Sequence, residues 1–179
     1  ALETILSGFG LVDGKDVFIE YKSEHAECVA ALASDKSGSA LAMLPQPFAT
    51  SAMIQNSSFR ILMDLNDLWE TLTGTQLVTG CAVVTKAFAE AHPEAVAEFL
   101  SAYKASVDFV NANTADASAL IEKYGIIKAA VAQKALPYCN IVCWTGEELR
   151  TALDVYLNAL YNQNPKSVGG KVPGDEFYF

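Results

Sequence analysis

The sequence predicts an α/β protein in which helices flank a parallel-rich sheet. Short apolar runs alternate with helical patterns, and this alternation is typical of parallel sheets covered by helices. The apolar runs are nearly continuous, as expected for strands that are buried on both faces. Hydrophobic residues make up 51% of the 179 residues, so the chain is able to bury a core.

The first part of the chain alternates helix and strand. Residues 2–11 end an amphipathic helix that Gly8 and Gly10 stop. Strands are predicted at residues 16–21, 39–44 and 59–65. Helices are predicted between them at residues 23–34, with Ser23 as N-cap, and 47–55, with Pro47 in the first turn. Residues 1–75 are therefore expected to form a small α/β lobe.

The second part of the chain is richer in helices. Residues 66–76 are predicted to be a polar bridge, and residues 77–85 a clear strand. Helices are predicted at residues 93–113, 114–125, 127–136 and 145–164. Because one strand is not a sheet, residues 76–179 are expected to return to another sheet or to complete a domain whose other strands lie elsewhere.

Composition excludes several classes of function. The formal charge is −9, from 12 basic and 21 acidic residues, and no basic stripe predicts a nucleic-acid partner. No apolar run reaches the roughly 18 residues of a membrane span. The four cysteines lack metal-ligand spacing, so no metal site is predicted, while a disulfide between Cys139 and Cys143 stays open.

Catalytic motifs are missing from the sequence. It contains two histidines, His25 and His92, and no GxSxG, HExxH or Walker pattern. The prediction is that the protein has no catalytic residues, needs no cofactor and is not an enzyme.

The ends of the predicted strands are the better candidates for a binding site, since ligands of parallel sheets bind beyond the carboxyl ends of the strands. Pro45 ends one strand because it has no N–H to donate, and Pro47 sets φ for the next helix. Gln46 between them offers an amide that is both donor and acceptor. The alternative is a tight connector that leaves Gln46 exposed. Ser23 and Glu24 mark the neighbouring strand end.

The stretch "ALAMLPQPFAT" resembles the solute-binding proteins of ABC importers of the nitrate, sulfonate, taurine and thiamine-precursor type. That family carries a "DIALLPEPF"-like stretch here, with Glu in place of Gln46. Residues 77–111 are similar to the family's return strand and long helix. The resemblance implies a periplasmic-binding-protein type II fold with a ligand between two lobes. The chain would then be the second lobe and part of an incomplete first lobe, without the family's N-terminal part.

The resemblance also implies a function. It indicates an extracytoplasmic protein, periplasmic or lipid-anchored as a lipoprotein, that captures a small molecule for ABC permease subunits in the membrane. The ligand would be an anion or a compound like a thiamine precursor or sulfonate, although the loss of the Glu charge at Gln46 leaves its charge open. Self-association of the incomplete chain is also expected. The ligand-binding residues that the resemblance implies are Ser23, Glu24, Gln46, Pro47, Thr79 and Gly80.

Two alternatives share the same architecture. One is the ligand-sensing effector domain of a transcription regulator, which predicts a helix-turn-helix segment upstream. The other is an enzyme that resembles the yeast-type thiamine pyrimidine synthase, which uses a histidine and iron. In this chain His25 is the histidine that would serve.

Overall fold

A computed structural model describes residues 1–178, and most of these residues are helical. Helix order and approximate position follow the sequence patterns for most of the chain. Three short 3-10 helices, at Leu136–Tyr138, Pro165–Val168 and Asp175–Phe177, interrupt the C-terminal part. The α-helices of the described residues are α1 (Leu2–Gly8), α2 (His25–Ser34), α3 (Phe48–Gln55), α4 (Leu65–Thr73), α5 (Lys86–Ala91), α6 (Pro93–Ala112), α7 (Thr114–Lys123), α8 (Ala129–Ala135) and α9 (Gly146–Gln163).

The predicted parallel-rich sheet is wrong. Residues 1–178 contain no β-strand, and their only bridge is an isolated parallel pair between Asp13 and Val17. The runs at 16–21, 39–44, 59–65 and 77–85 form no ladder with one another. The fold class of the described chain is therefore mostly helical.

The physical reason is that a β-strand forms its backbone hydrogen bonds with a neighbouring strand. A helix satisfies its own backbone groups within the segment, whereas a strand needs a second segment about 4.8 Å away. The apolar side chains of the predicted strands also stay in solvent: Phe18 is 83%, Leu41 is 68% and Val83 is 78% exposed. An apolar run supplies the composition of a buried strand, but it does not supply the partner.

The chain divides into two compact units, which are described separately. Unit 1 consists of Ala1–Ile19, Leu62–Thr85 and the segment that begins at Trp144. Unit 2 consists of Glu20–Ile61 and Lys86–Cys143. The division predicted at residues 75 and 76 stays a prediction.

Unit 1 is organised around large side chains. Trp69 of α4 is fully buried and meets the ring of Tyr156 on α9 edge-on, with ring centroids 5.7 Å apart. Helices α1 and α4 pack closely, since a Cβ on Gly8 would lie 2.7 Å from Leu72 Cδ1. Gln163 Nε2 of α9 donates to Thr4 Oγ1 of α1 over 2.6 Å. These contacts join the three helices of the unit.

Helix α4 replaces the predicted polar bridge. Its N-cap is Asp64, whose side chain accepts from Asn66 N over 2.9 Å, and its C-cap is Gly74 in the left-handed conformation. These are the two capping residues expected at the ends of a helix. The side chains of Asp67, Glu70 and Thr71 are exposed, whereas the Trp69 side chain is fully buried.

Unit 2 buries smaller side chains. Helix α7 packs on α6 and α8, and α3 packs on α8. The buried residues of α3 are Thr50 and Ala52, and those of α8 are Ala132 and Ala135. Helix α2 has no buried residue, although its sequence predicts an apolar face. The candidate site residues of this unit lie at the beginnings of α2 and α3.

Candidate functional site

The beginning of α2 is held by two glutamates. Glu24 is the N-cap, and its side chain accepts from the backbone of Glu27, while the Glu27 side chain accepts from Glu24 N over 3.2 Å. Glu27 Oε2 also accepts from Ser23 N over 3.1 Å. This reciprocal capping box satisfies N–H groups that helix geometry leaves without partners. Ser23 therefore lies one residue before the cap, rather than at the cap as predicted.

The beginning of α3 is held by Gln46. Pro47 is its N-cap and makes no side-chain cap bond. The amide oxygen of Gln46 takes over that role, because it accepts from Thr50 N over 3.3 Å and from Thr50 Oγ1 over 2.8 Å. Gln46 is half-buried and Thr50 is only 4% exposed. Gln46, which lies between two prolines, therefore has a side chain that is held in place, and its oxygen faces the first turn of α3.

An aromatic contact brings the two helix beginnings together. The imidazole of His25, the first residue of α2, lies 4.3 Å from the ring of Phe48, the first residue of α3, measured between ring centroids. His25 is exposed, and Phe48 keeps 44% of its surface in solvent. We call this surface the α2–α3 edge; its residues are Ser23, Glu24, His25, Glu27, Gln46, Pro47, Phe48 and Thr50.

The charges along the α2–α3 edge are mostly negative. Glu24 and Glu27 lie at the start of α2, and the preceding chain carries Glu20 and Lys22. Lys22 forms an ion pair with Glu20, and its hydrogen bond to that carboxylate raises the pKa of the Lys22 ammonium. The Lys22 ammonium is thus paired with Glu20, while Glu24 and Glu27 add two carboxylates at the start of α2.

The structure places four of the six predicted binding residues at this edge. Ser23, Glu24, Gln46 and Pro47 lie around the His25–Phe48 contact. Thr79 and Gly80 lie in unit 1, where both are exposed and belong to no helix. The binding role of all six residues stays a prediction.

Three further residues of the edge, Glu27, Phe48 and Thr50, were not predicted as site residues. Phe48 provides the ring, and Thr50 holds the Gln46 amide. The four-residue spacing from Gln46 to Thr50 across the first turn of a helix is a signal for such a contact. This spacing was overlooked because Gln46 was considered only in relation to Pro45 and Pro47.

Residues 1–178 contain no group of three or more His, Cys, Asp or Glu side chains that is able to hold a metal ion. All four cysteines are free thiols, so the disulfide that the sequence left open is not formed. Burial raises the pKa of the Cys139 thiol, which makes it a poor nucleophile. Among residues 1–178, no helix has both the length and the apolar character needed to cross a membrane.

The family is decided by sequence comparison. A family model described as menaquinone biosynthesis matches residues 17–162. The chain belongs to the menaquinone biosynthesis family. The match includes the whole α2–α3 edge and most of both units.

Membership of the menaquinone biosynthesis family corrects two predictions. The assignment to the solute-binding proteins of ABC importers is wrong at the level of family. The prediction that the protein is not an enzyme is wrong as well, since a biosynthetic family points to an enzyme. The first error arose because the stretch around Gln46 is a feature of a fold, and a fold hosts unrelated functions. The second arose because an enzyme does not have to carry one of the short catalytic motifs for which the sequence was searched.

A solved structure shares the fold. A crystal structure of an ABC transporter from Parabacteroides distasonis superposes with a TM-score of 0.80 over 99% of this chain, at 23% sequence identity. This chain spans 60% of the length of that chain. This structural similarity shows a common fold and is not evidence for a common activity. No curated protein matches the chain. The predicted permease partner, self-association and extracytoplasmic location stay predictions.

Proposed function

We propose that this protein is an enzyme of menaquinone biosynthesis that binds a small organic substrate at the α2–α3 edge. The observation that carries the proposal is the family match over residues 17–162, which contains both helix beginnings of the edge. The geometry agrees with a substrate of modest size, since the edge combines an aromatic surface with a few fixed polar groups.

His25 is the side chain of this edge that is best suited to move a proton. Histidine is the most frequent general acid or base in enzymes. The imidazole is exposed at the first position of α2 and is oriented by its contact with Phe48. Glu24 and Glu27 are engaged in capping, so they hold the helix beginning rather than a substrate proton. His25 is therefore proposed as the acid–base group and Phe48 as the surface that positions the substrate ring.

The proposal is tested by measuring menaquinone. Deleting the gene in the source organism should lower cellular menaquinone about tenfold or more, as measured by liquid chromatography and mass spectrometry, because an essential step should depend on the catalyst. Re-expression of the wild-type protein should restore the quinone. His25→Asn should not restore it, whereas His92→Asn should, because His92 is the N-cap of α6 and is not among the residues of the α2–α3 edge.

The same experiment contains its own refutation. Unchanged menaquinone after deletion would reject the biosynthetic function. Full restoration by His25→Asn would reject the assigned role of this histidine and leave the family function standing. A soluble expression check of each variant by immunoblot separates loss of function from loss of protein.

A further inference from the structure

We propose that residues 79–84 of unit 1 pair as an edge strand with a polypeptide partner, and that this partner is equivalent to the part of the Parabacteroides distasonis chain that has no counterpart here. The juxtaposition that carries the proposal is an uncharged run that starts at a buried cluster and is fully exposed beyond it. We call residues 79–84 the exposed run. It lies outside the α2–α3 edge, so the proposal stands apart from the proposed function.

The exposed run continues directly from a buried anchor. Val78 is 8% exposed and belongs to a cluster with Ala152 and Leu153. From residue 79 onward every residue of the run is exposed, with Val83 at 78% and Val84 at 47%. In a β-strand successive side chains point to opposite faces, so the exposure of consecutive residues means that neither face is covered. Unit 1 therefore fixes the beginning of the run and leaves its surface open.

The backbone of the exposed run is available for pairing as well. Within residues 1–178 the run belongs to no strand, and no backbone–backbone hydrogen bond joins it to another segment. Backbone N–H and C=O groups are strong hydrogen-bonding groups, and an unpaired edge of such groups is a template for a further strand. A row of main-chain donors and acceptors is matched by a second strand rather than by a small molecule.

The composition of the segment also favours pairing. Residues 75–85 contain no Asp, Glu, Lys or Arg, although the chain has a formal charge of −9, and they contain no proline. Edges that remain unpaired in solution are commonly protected by lysine or proline. The exposed run has neither of these protections, and its two valines are β-branched residues that fit well in strands.

The structural comparison indicates which partner fits. The superposition with the Parabacteroides distasonis structure includes 99% of this chain, but it includes only 60% of that chain. The same fold is thus built there with additional polypeptide that residues 1–178 do not contain. A strand from an equivalent polypeptide would satisfy the backbone of the exposed run and cover its valines. A second copy of this chain is the weaker alternative, because it brings the same charge of −9 and two such copies repel each other.

Co-expression tests this pairing. This chain, at full length and with an affinity tag, is co-expressed with the untagged part of the Parabacteroides distasonis chain that has no counterpart here. We expect the two polypeptides to co-purify in equimolar amounts. Peptides that cover residues 76–85 should then exchange their amide hydrogens about tenfold or more slowly than in this chain alone. The matched part of the Parabacteroides distasonis chain, co-expressed in the same way, is the control and should not co-purify.

Two lysine variants locate the contact. Val83→Lys places a charge on the exposed run, so the amount of co-purified partner should fall about tenfold or more. Ile126→Lys is the matched control, because Ile126 is also β-branched, is 73% exposed and belongs to no helix, but lies in unit 2. It should leave the amount of partner unchanged. Circular dichroism of each variant alone checks that it is folded.

Several outcomes would overturn the proposal. Protection of the exposed run in this chain alone at monomer mass would show that the run is already covered. A molar mass of two copies by light scattering, with the run protected, would make a second copy the occupant. Absence of a complex, or a complex that leaves the run unprotected, would reject the pairing, and so would equal effects of the two lysine variants. The wild-type measurements stand even if a variant fails to fold. None of them reads menaquinone, so their failure is distinguishable from failure of the proposed function.

Discussion

Units 1 and 2 are stabilised in different ways. Unit 1 encloses large side chains, with Trp69 fully buried and Leu153 5% exposed. The buried residues of unit 2 include several alanines, and at its α2–α3 edge the side-chain oxygens of Glu27 and Gln46 accept the hydrogen bonds that hold the helix beginnings. Hydrophobic burial stabilises more per residue than a capping bond does. We therefore expect substitutions in unit 1 to act on stability and substitutions at the edge of unit 2 to act mainly on binding.

The largest expected effect is that of Trp69→Ala. Removing a fully buried indole leaves a cavity, so the free energy of unfolding should fall by about 3–5 kcal/mol. Urea unfolding followed by far-UV circular dichroism measures the change. Phe99→Ala on α6, where the ring is 52% exposed, is the control and should cost less than about 1 kcal/mol. Similar losses in both variants would remove the distinction between the units.

The next effect compares two valines of one extended segment. Val78 is 8% exposed and belongs to a cluster with Ala152 and Leu153, whereas Val83 is 78% exposed. Val78→Ala should lower the free energy of unfolding by about 2 kcal/mol, and Val83→Ala should change it by less than about 0.5 kcal/mol. Thermal and urea denaturation check both values.

The Val83 result also tests the correction to the fold class. If Val83→Ala were as destabilising as Val78→Ala, the segment at 77–85 would be covered by a partner strand in solution. That strand would come from association between copies of the chain, and a measurement of molar mass by light scattering would detect it.

Gln46→Ala should have a moderate effect on stability. The substitution removes the oxygen that caps α3 through Thr50, so the free energy of unfolding should fall by about 1 kcal/mol. Gln133→Ala on α8 is the matched control, and it should leave stability unchanged or slightly raised because alanine favours helices. Equal stability of Gln46→Ala and wild type would show that the capping bonds contribute nothing.

The smallest effect is restricted to high pH and belongs to unit 1. The Tyr178 hydroxyl donates to Asp154, and the guanidinium of Arg150 lies 5.2 Å from the Tyr178 ring centroid. Burial and then the bond to Asp154 raise the pKa of Tyr178 from 10.0 to about 12. Since the folded-state pKa is raised, the contribution of Tyr178 to stability is fully present below pH 10 and is lost as the pH rises towards 12.

Tyr178→Phe should abolish this pH dependence. The difference in unfolding free energy between wild type and variant should be constant below pH 10 and should shrink between pH 10 and 12. Tyr124→Phe is the control for the loss of a tyrosine hydroxyl as such, because Tyr124 is 73% exposed. A difference for Tyr178→Phe that does not change with pH would contradict the assigned cause.

Helices were largely predictable from the sequence. The long helix beginning at Pro93, the helix after Pro47 and the last helix from residue 146 follow apolar periodicity and capping residues. A helix forms its hydrogen bonds locally, so local sequence suffices. Helix α4 was missed because its polar composition outweighed the cap at Asp64 and the αL glycine at position 74.

The candidate site was predictable in part. The turn at Gln46 and Pro47 and the neighbouring Ser23 and Glu24 stand out as the ends of apolar runs. The direction of the Gln46 amide was not predictable, because it depends on the hydroxyl of Thr50 one helical turn away. The contact between His25 and Phe48 joins segments more than twenty residues apart, and no local pattern reports it.

By itself the sequence determined the order and approximate limits of most helices, with α4 and α5 missed, the acidic net charge and, through similarity, membership of the menaquinone biosynthesis family. Only the tertiary structure decided that the apolar runs stay unpaired and that the Gln46 oxygen accepts from Thr50. Helical order rests on bonds between residues four apart, whereas strand pairing and side-chain orientation depend on groups brought together by folding. For this reason most of the helix predictions are confirmed for this protein, whereas the prediction of a sheet is wrong.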